Sequence, residues 1–402
     1  MRIGIITGEY PPLEGGVGDF TRKLGTALHA GEHGIHILTT RMDDRQRSPI
    51  EEAGITVYRD IHDWDRKAHK DITNWVNKLS LDVVNIQYQA AAYQMRGGMN
   101  FYPRAQKRHL TAPIVVTFHD LLPPYLFPKA GPLRQWSVRQ LAQHADGIIV
   151  TNGDDYTELT TAMERSLPPT RLIPIGSNIA QQPPAGYNRA VWRAAHGIYP
   201  NDMLIGFFGF LNRGKGVETL IEALGQLVTS GLPAHLLFIG GRTGSSDSTN
   251  AAYADEIDAR IKEAGLSTHV QRTGFTTPAE VSAALLAVDI CALPYRGGAS
   301  LRHGTLHAAL AHGNAIVTTT PQTETPQLQN GKNVMLIPPE NATALTNALR
   351  LLWMEPHMRA DIGQRAAQLS REFSWERIAA RTAEFFRTLV RNSSGNTDAT
   401  VS

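Results

Sequence analysis

Short apolar runs rich in β-branched residues alternate with helix-patterned stretches along almost the whole chain. That rhythm predicts parallel sheets covered by helices, because parallel strands are joined by long crossovers that are usually helical. In the first half, strands are expected at 3–7, 36–40, 83–87, 114–118, 147–151 and 171–175, with helical patterns such as 17–30 and 133–143 between them. The segment Gln181-Gln182-Pro183-Pro184-Ala185-Gly186 breaks the rhythm and reads as a linker. A second alternation follows, with strands at 203–208, 234–239, 270–274, 289–293 and 315–318. Its helices are expected at 217–229, 253–264, 279–286, 301–312, 342–353, 356–370 and 374–390. At 402 residues the chain is too long for one ordinary core. The expectation is an α/β protein of two Rossmann-like, doubly wound parallel-sheet domains, 1–182 and 187–372, with a polar, disordered tail at 392–402. Such sheets bind ligands beyond the carboxyl ends of their strands, so two that face one another make a cleft.

Hydrophobic residues make up 42% and charged residues 19%, a globular balance that excludes a mainly disordered chain. A formal net charge of +2 is too small for the basic field typical of nucleic-acid binding. No run approaches the roughly eighteen apolar residues of a membrane-spanning helix. The apolar start, Met1 to Thr7, is too short for a secretion signal and meets Glu9 and Pro11-Pro12 at once, so a cytoplasmic location is expected. The lone Cys291 lies in the apolar run 288–294, cannot form an internal disulfide, and suits a reducing compartment.

Four motifs carry chemistry. Gly15-Gly16-Val17-Gly18 opens a helix, and its glycines let backbone amides approach a phosphate or sugar. The spacing is not G-x-G-x-x-G, so a dinucleotide fingerprint is not indicated, and a plain tight turn is the alternative. Thr117-Phe118-His119-Asp120 delivers a histidine and an aspartate at a strand end, where a structural histidine is the competing reading. The loop with Pro123, Pro124, Tyr125, Phe127 and Pro128 is stiff and aromatic, suited to an acceptor pocket or simply to surface packing. Gly209 through Gly216 sets Asn212, Arg213 and Lys215 among glycines before a helix, a sensible cradle for a pyrophosphate, with Lys215 as point charge and Arg213 as fork. In the last motif, Tyr295 through Thr305, Ser300 reads as a helix N-cap, and Arg302 and Thr305 could reach phosphate or ribose.

These segments, with Pro174-Ile175-Gly176-Ser177-Asn178 and Ala309-Leu310-Ala311-His312-Gly313, resemble in order and spacing the family 4 glycosyltransferases of the GT-B fold. Phe373-Ser374-Trp375-Glu376 is similar to that family's entry into a C-terminal helix, here 374–391, that crosses back to complete the first domain. The resemblance covers nearly everything from Met1 to Val390 and implies a metal-independent, retaining transferase without a cofactor. Its co-substrate would be a nucleoside diphosphate sugar, and the acceptor a glycan, lipid or small molecule. His119, Lys215 and Arg213 would be catalytic. His119 would orient the donor sugar, and Lys215 would neutralise the diphosphate, aided by amides near Gly16 and Leu301. Gly15, Gly16, Gly209, Asn212, Thr273, Ser300, Leu301, Arg302, His303, Gly304 and Thr305 would bind donor, with Gln271 to Phe275 facing the base. Gly18, Asp120 and Tyr125 would line the acceptor side.

The sequence departs from the family where it usually carries two glutamates eight positions apart; Ser300 and Ala308 stand there. The usual arginine after Gly209 is Phe210. A bacterial subgroup that the Ser-x-Arg-x-Gly-Thr-Leu pattern resembles lacks those glutamates. Arg213 and Arg302 are expected to replace the lost charge, and Ser300 or Thr305 the lost hydrogen bonds. A catalytically degenerate nucleotide-sugar binder is the alternative, and a sugar-nucleotide epimerase or oxidoreductase a more distant one. Asp63-Trp64-Asp65 matches a metal motif of another glycosyltransferase fold but is expected on the solvated surface. His303 and His307 lie one helical turn apart with no third ligand, so no metal is expected. The basic stretch 96–109 suggests peripheral contact with anionic lipid or a solvated helix face.

Overall fold

The computed structural model describes the chain except residues 14, 44–47, 124–131, 164–166, 243–247 and 398–402. In chain order, the first elements are β1 (Arg2–Ile6), α1 (Gly16–Ala30), β2 (Gly34–Thr40), β3 (Ile50–Glu52), β4 (Ile55–Ile61), α2 (Ala68–Leu79) and β5 (Val83–Tyr88). Then come α3 (Tyr102–Gln106), β6 (Ile114–Phe118), α4 (Pro132–His144), β7 (Gly147–Val150), α5 (Gly153–Met163) and β8 (Thr170–Leu172). The second set is α6 (Arg189–Ala195), β9 (Met203–Phe208), α7 (Val217–Thr229), β10 (Ala234–Ile239), α8 (Ser248–Glu263), β11 (Val270–Arg272), α9 (Pro278–Ala287) and β12 (Ile290–Leu293). It continues with α10 (Gly304–Ala311), β13 (Ala315–Thr319), β14 (Met335–Ile337), α11 (Ala342–Met354) and α12 (Pro356–Ser370), and the chain closes with α13 (Trp375–Thr397). The chain divides into two compact units, Met1–Gly176 with Trp375–Ser402, and Ser177–Ser374. The Gln181–Gly186 stretch belongs to the second unit.

The first unit holds an eight-stranded sheet, ordered β3-β4-β2-β1-β5-β6-β7-β8. Its pairs are parallel except the β3–β4 hairpin, which turns through Ala53 and Gly54, both with positive φ. β5 and β6 are buried at every residue, as strands covered on both faces are, Asn85 and Gln87 of β5 included. α13 seals one face by setting Ile378, Phe385, Phe386 and Leu389 against Ile3, Ile5, Val83, Val115 and Ile149. Each such buried side chain contributes at most about 1.5–3 kcal/mol. Gly147 admits the helix at close range: a methyl group there would lie 2.5 Å from Leu389 Cδ1. The second unit holds a six-stranded, wholly parallel sheet, ordered β11-β10-β9-β12-β13-β14.

Strand order reverses beside β1 in the first sheet and beside β9 in the second. Ligands of doubly wound sheets bind at such switch points, outside the carboxyl ends. The loops that follow β1, β6, β9 and β12 there are the four carrying the sequence motifs.

Several expectations are corrected. β3 and β4 were not anticipated, because a charged residue sits on the buried side of β4: Arg59 is 2% exposed and lies over the Tyr10 ring. In the Asp63-Trp64-Asp65 stretch Asp63 is solvated as expected and pairs with Arg96 at 3.0 Å, but Trp64 between the two aspartates is fully buried, its Nε1–H bonding Thr40 Oγ1 at 2.8 Å. Of the 392–402 tail expected to be disordered, residues 392–397 continue α13, because an established helix gains one bond for each residue added, and 398–402 lie outside the described residues. α10 begins at Gly304, later than the predicted 301, so Ser300 is not its N-cap. The N-cap is His303, because Ser300 and Leu301 stand in a turn that closes through His303 N–H to Ser300 C=O at 3.0 Å.

Candidate functional site

In the first unit, β6 ends at Phe118 and delivers His119, whose backbone N–H continues the ladder to Tyr88 C=O at 3.0 Å. Its Nε2 meets Gln87 Oε1 at 2.8 Å. Gln87 donates its amide to Asn85 Oδ1, and Asn85 donates to Thr117 Oγ1 at 2.9 Å. This buried amide relay presents an acceptor to the imidazole, which assigns the proton to Nε2 and leaves Nδ1 as an acceptor. Phe20 of α1 packs edge-on at 4.7 Å. Burial pushes the His119 pKa down to about 3, so the ring is neutral at physiological pH. Asp120 accepts from Gln89 Nε2 at 2.9 Å and from Leu122 N–H at 3.1 Å, which fixes the start of the next loop. Tyr125, expected on the acceptor side, lies outside the described residues.

Glu9 is an addition that the sequence reading missed. Its Oε1 accepts the backbone N–H of Val17 at 2.9 Å and of Gly18 at 3.2 Å, so a carboxylate of the same chain occupies the N-terminus of α1. Gly15 lacks a capping side chain, and a methyl group there would collide with that carboxylate. The amides next to Gly16 thus already hold an anion. Burial raises the Glu9 pKa, and the two amide bonds oppose it. Replacing Glu9 by alanine is expected to destabilise the first unit by about 1–2 kcal/mol, as loss of a helix cap does. Thermal unfolding checks this, and an unchanged midpoint would show the contact to be idle.

In the second unit, the turn after β9 ends at Gly216, whose φ of 65° and closeness to the Pro294 carbonyl admit only glycine. It aims Lys215 inward, so that Nζ donates to Thr305 Oγ1 at 3.1 Å and sits 5.2 Å from the centroid of the Tyr295 ring. Gly209, with φ of 116°, keeps space beside the ammonium: a methyl group there would lie 2.8 Å from Thr305 Cγ2 and 3.7 Å from Lys215 Nζ. Desolvation pushes the Lys215 pKa down to about 8. Tyr295 bonds Thr305 at 2.7 Å and stacks on His303. The structure thus brings together Gly209, Lys215, His303 and Thr305 around Tyr295.

Arg213 does not join them. Its guanidinium pairs with Glu256 at 2.7 Å, stands over Tyr253, and is largely exposed. The pairing follows from Glu256 on α8, which sequence order alone does not bring near. Asn212 supplies the carbonyl that Lys215 N–H bonds at 3.0 Å. Thr273 accepts from Gly240 N–H at 3.0 Å and donates to Gly274 C=O at 2.9 Å, tying the ends of β10 and β11. Leu301 offers its carbonyl to His307 Nε2 at 2.7 Å, Arg302 and Gly304 are exposed, and Ser300 is buried. Among the described residues, no group of three or more His, Cys, Asp or Glu side chains is placed to hold a metal. Nor, among them, is any helix long and apolar enough to cross a membrane. In the basic stretch, Arg96 pairs with Asp63, Lys107 with Asp146, and Arg104 bonds Gln140.

Residues 15–176 match the family described as glycosyl transferase 4-like domain, and residues 202–355 the family described as glycosyl transferases group 1. The D-inositol 3-phosphate glycosyltransferase of Corynebacterium urealyticum is 26% identical over 256 residues, 62% of this chain and 58% of that protein. The match therefore spans little more than half of that relative's length. The alpha-D-kanosaminyltransferase of Streptomyces kanamyceticus is 23% identical over 68% of this chain and 69% of its own. Among solved structures, sucrose-phosphate synthase from Thermosynechococcus elongatus superposes with a TM-score of 0.77 at 20% identity, covering 98% of this chain and all of that one. The Anabaena protein HepE in complex with UDP superposes with a TM-score of 0.74 at 18% identity, covering 96% and 100%. The fold is GT-B.

Proposed function

Because the chain belongs to the glycosyl transferases, with a 4-like N-terminal half and a group 1 C-terminal half, we propose that it moves a hexose from a nucleoside diphosphate sugar to a glycan, lipid-linked or small-molecule acceptor. Transfer proceeds with retention and without a metal. One observation carries the reading: the half-buried, desolvated ammonium of Lys215, opened to its surroundings by the side-chain-free Gly209 at the carboxyl end of a parallel sheet. A desolvated cation at a switch point suits a diphosphate, whose growing charge on departure it neutralises in place of a metal. Neutral His119, held by Gln87, orients the donor sugar. HepE and its UDP complex support UDP as the first nucleotide to try. Exposed Leu133 and Trp136, with Phe101 packed on Trp136 at 5.6 Å, support a peripheral contact with lipid for a lipid-borne acceptor.

A second reading rests on Ser300 and Ala308, which place no carboxylate where the resemblance calls for two: the chain binds nucleotide sugar without turning it over. One experiment addresses both. A panel of nucleoside diphosphates is expected to raise the melting temperature, by about 2.7 kcal/mol of stabilisation at a hundred times Kd. Turnover of the matching donor is expected to fall by about 10²-fold in His119→Ala, as for a lost positioning contact. No shift with any nucleotide refutes both readings, and binding without turnover leaves the second.

A further inference from the structure

The loop between β12 and α10 ends in a histidine whose proton the geometry locates. Ser300 donates its backbone N–H to His303 Nδ1 at 3.3 Å, so Nδ1 is the acceptor and the ring hydrogen belongs on Nε2. The imidazole lies flat on Tyr295, with centroids 3.9 Å apart and planes 25° apart, which holds its orientation. The same phenol carries Lys215 near its ring and bonds Thr305, which also accepts from the Lys215 ammonium. His303 Nε2 has no hydrogen-bond partner among the described residues and is not one of the buried polar atoms sealed from solvent. Burial, with Lys215, Arg302 and His307 facing the ring, pushes the pKa of His303 down to about 3. The result is an oriented, neutral N–H donor beside a half-buried cation, at the carboxyl end of a parallel sheet. An anion rich in oxygen acceptors satisfies both.

Resting on the nucleotide-sugar reading, the geometry points to His303 as a hydrogen-bond donor to the leaving group, its Nε2–H on an oxygen of the diphosphate that Lys215 neutralises. During transfer, the bond from the anomeric carbon to the diphosphate oxygen breaks and its electron pair stays on that oxygen. The acceptor oxygen bonds to the same carbon, and the acceptor's proton passes to the released diphosphate. His303 keeps its own proton throughout. Its bond shortens and strengthens as charge collects on the leaving oxygens, so it favours the transition state over the bound donor.

The test is calorimetric titration of the full chain with UDP and with inorganic pyrophosphate, for wild type, His303→Phe and His303→Gln. Phenylalanine keeps the stack on Tyr295 and removes the donor, whereas glutamine returns an N–H close to the Nε2 position. His303→Phe is expected to weaken both ligands by about tenfold or more, the worth of a hydrogen bond to a charged group. His303→Gln is expected to stay within about threefold of wild type, and both variants to keep the wild-type melting temperature. Affinities of wild type and His303→Gln, followed from pH 7.5 to 5, are expected to run in parallel, since neither side chain titrates there. Wild-type affinity in His303→Phe, or glutamine as weak as phenylalanine, overturns the role. So does a wild-type affinity that climbs over that of His303→Gln on acidification, which would mark an imidazolium. If wild type binds neither these ligands nor any other nucleoside diphosphate of the panel, the nucleotide-sugar reading itself falls.

Discussion

Replacing Lys215 by alanine is expected to lower turnover by roughly 10²–10³-fold, the loss seen when one preorganised donor to a developing charge is removed. The second unit should remain folded, because Lys215 closes no core cluster and its hydrogen bond is to Thr305. The pH dependence supplies an independent check. Desolvation brings the Lys215 pKa down to about 8, so the ammonium that attracts a diphosphate is present below that value and lost above it. Affinity for a nucleoside diphosphate is therefore expected to fall as pH rises through about 8 in the wild type. Lys215→Arg, whose guanidinium stays charged, is expected to lack that alkaline limb. A bound diphosphate favours the charged form, so the limb should lie at higher pH in kcat than in kcat/KM. An unchanged rate in Lys215→Ala would remove the basis for placing the leaving group in the second unit.

Asp289→Ala is expected to destabilise the second unit by about 3–5 kcal/mol, the cost of stranding a buried charge by deleting its partner. Asp289 stands at the start of β12 and accepts from Arg193 at 2.9 Å, from Arg189 at 2.6 Å and from the Leu204 backbone N–H at 2.8 Å. Arg193 is itself buried and also donates to the carbonyls of Ala287 and Asp202. One carboxylate thus joins α6, β9 and β12 at the amino ends of the two central strands, opposite the carboxyl end that carries Lys215. Urea unfolding of the single variant measures the loss. The double variant Arg193→Met with Asp289→Leu should recover much of it, because an apolar pair leaves no buried charge unpaired and Arg189 is half exposed to solvent. A loss below about 1 kcal/mol would class the pair with solvent-screened surface bridges.

Most strands could be read from sequence because the central ones are buried on both faces, and apolar runs such as Met203–Phe208 and Ile290–Leu293 leave a plain signal, whereas β3, β4 and β14 were not read. β4 escaped because its inward row includes Arg59, whose charge is held by the Pro11 carbonyl and by neighbours that only the fold supplies. The motif loops were legible for a related reason: glycines with positive φ, such as Gly209 and Gly216, are demanded by local backbone geometry and so leave a local mark. Long-range partnerships leave none. Glu9 reaching the amides of Val17 and Gly18, Gln87 presenting its oxygen to His119, and Glu256 drawing Arg213 aside depend on side chains meeting across elements. Gln87 did carry one hint, a polar residue at the end of an apolar strand, where it needs a partner. The start of α10 was misplaced because Ser300 has capping chemistry, yet the chain takes one more turn and sets His303 at the N-cap position, where its side chain makes no capping bond.

α13 has a bearing on how the protein is made. The first 176 residues leave the ribosome long before the helix that covers Ile3, Ile5, Val83 and Val115 has been translated. Folding domain by domain from the N-terminus cannot finish here, since the earliest sheet waits for the last segment. The nascent first half carries a bare aliphatic surface through synthesis of the whole second half, which makes it a natural client for chaperones. A premature stop before Trp375 would leave that surface uncovered for good.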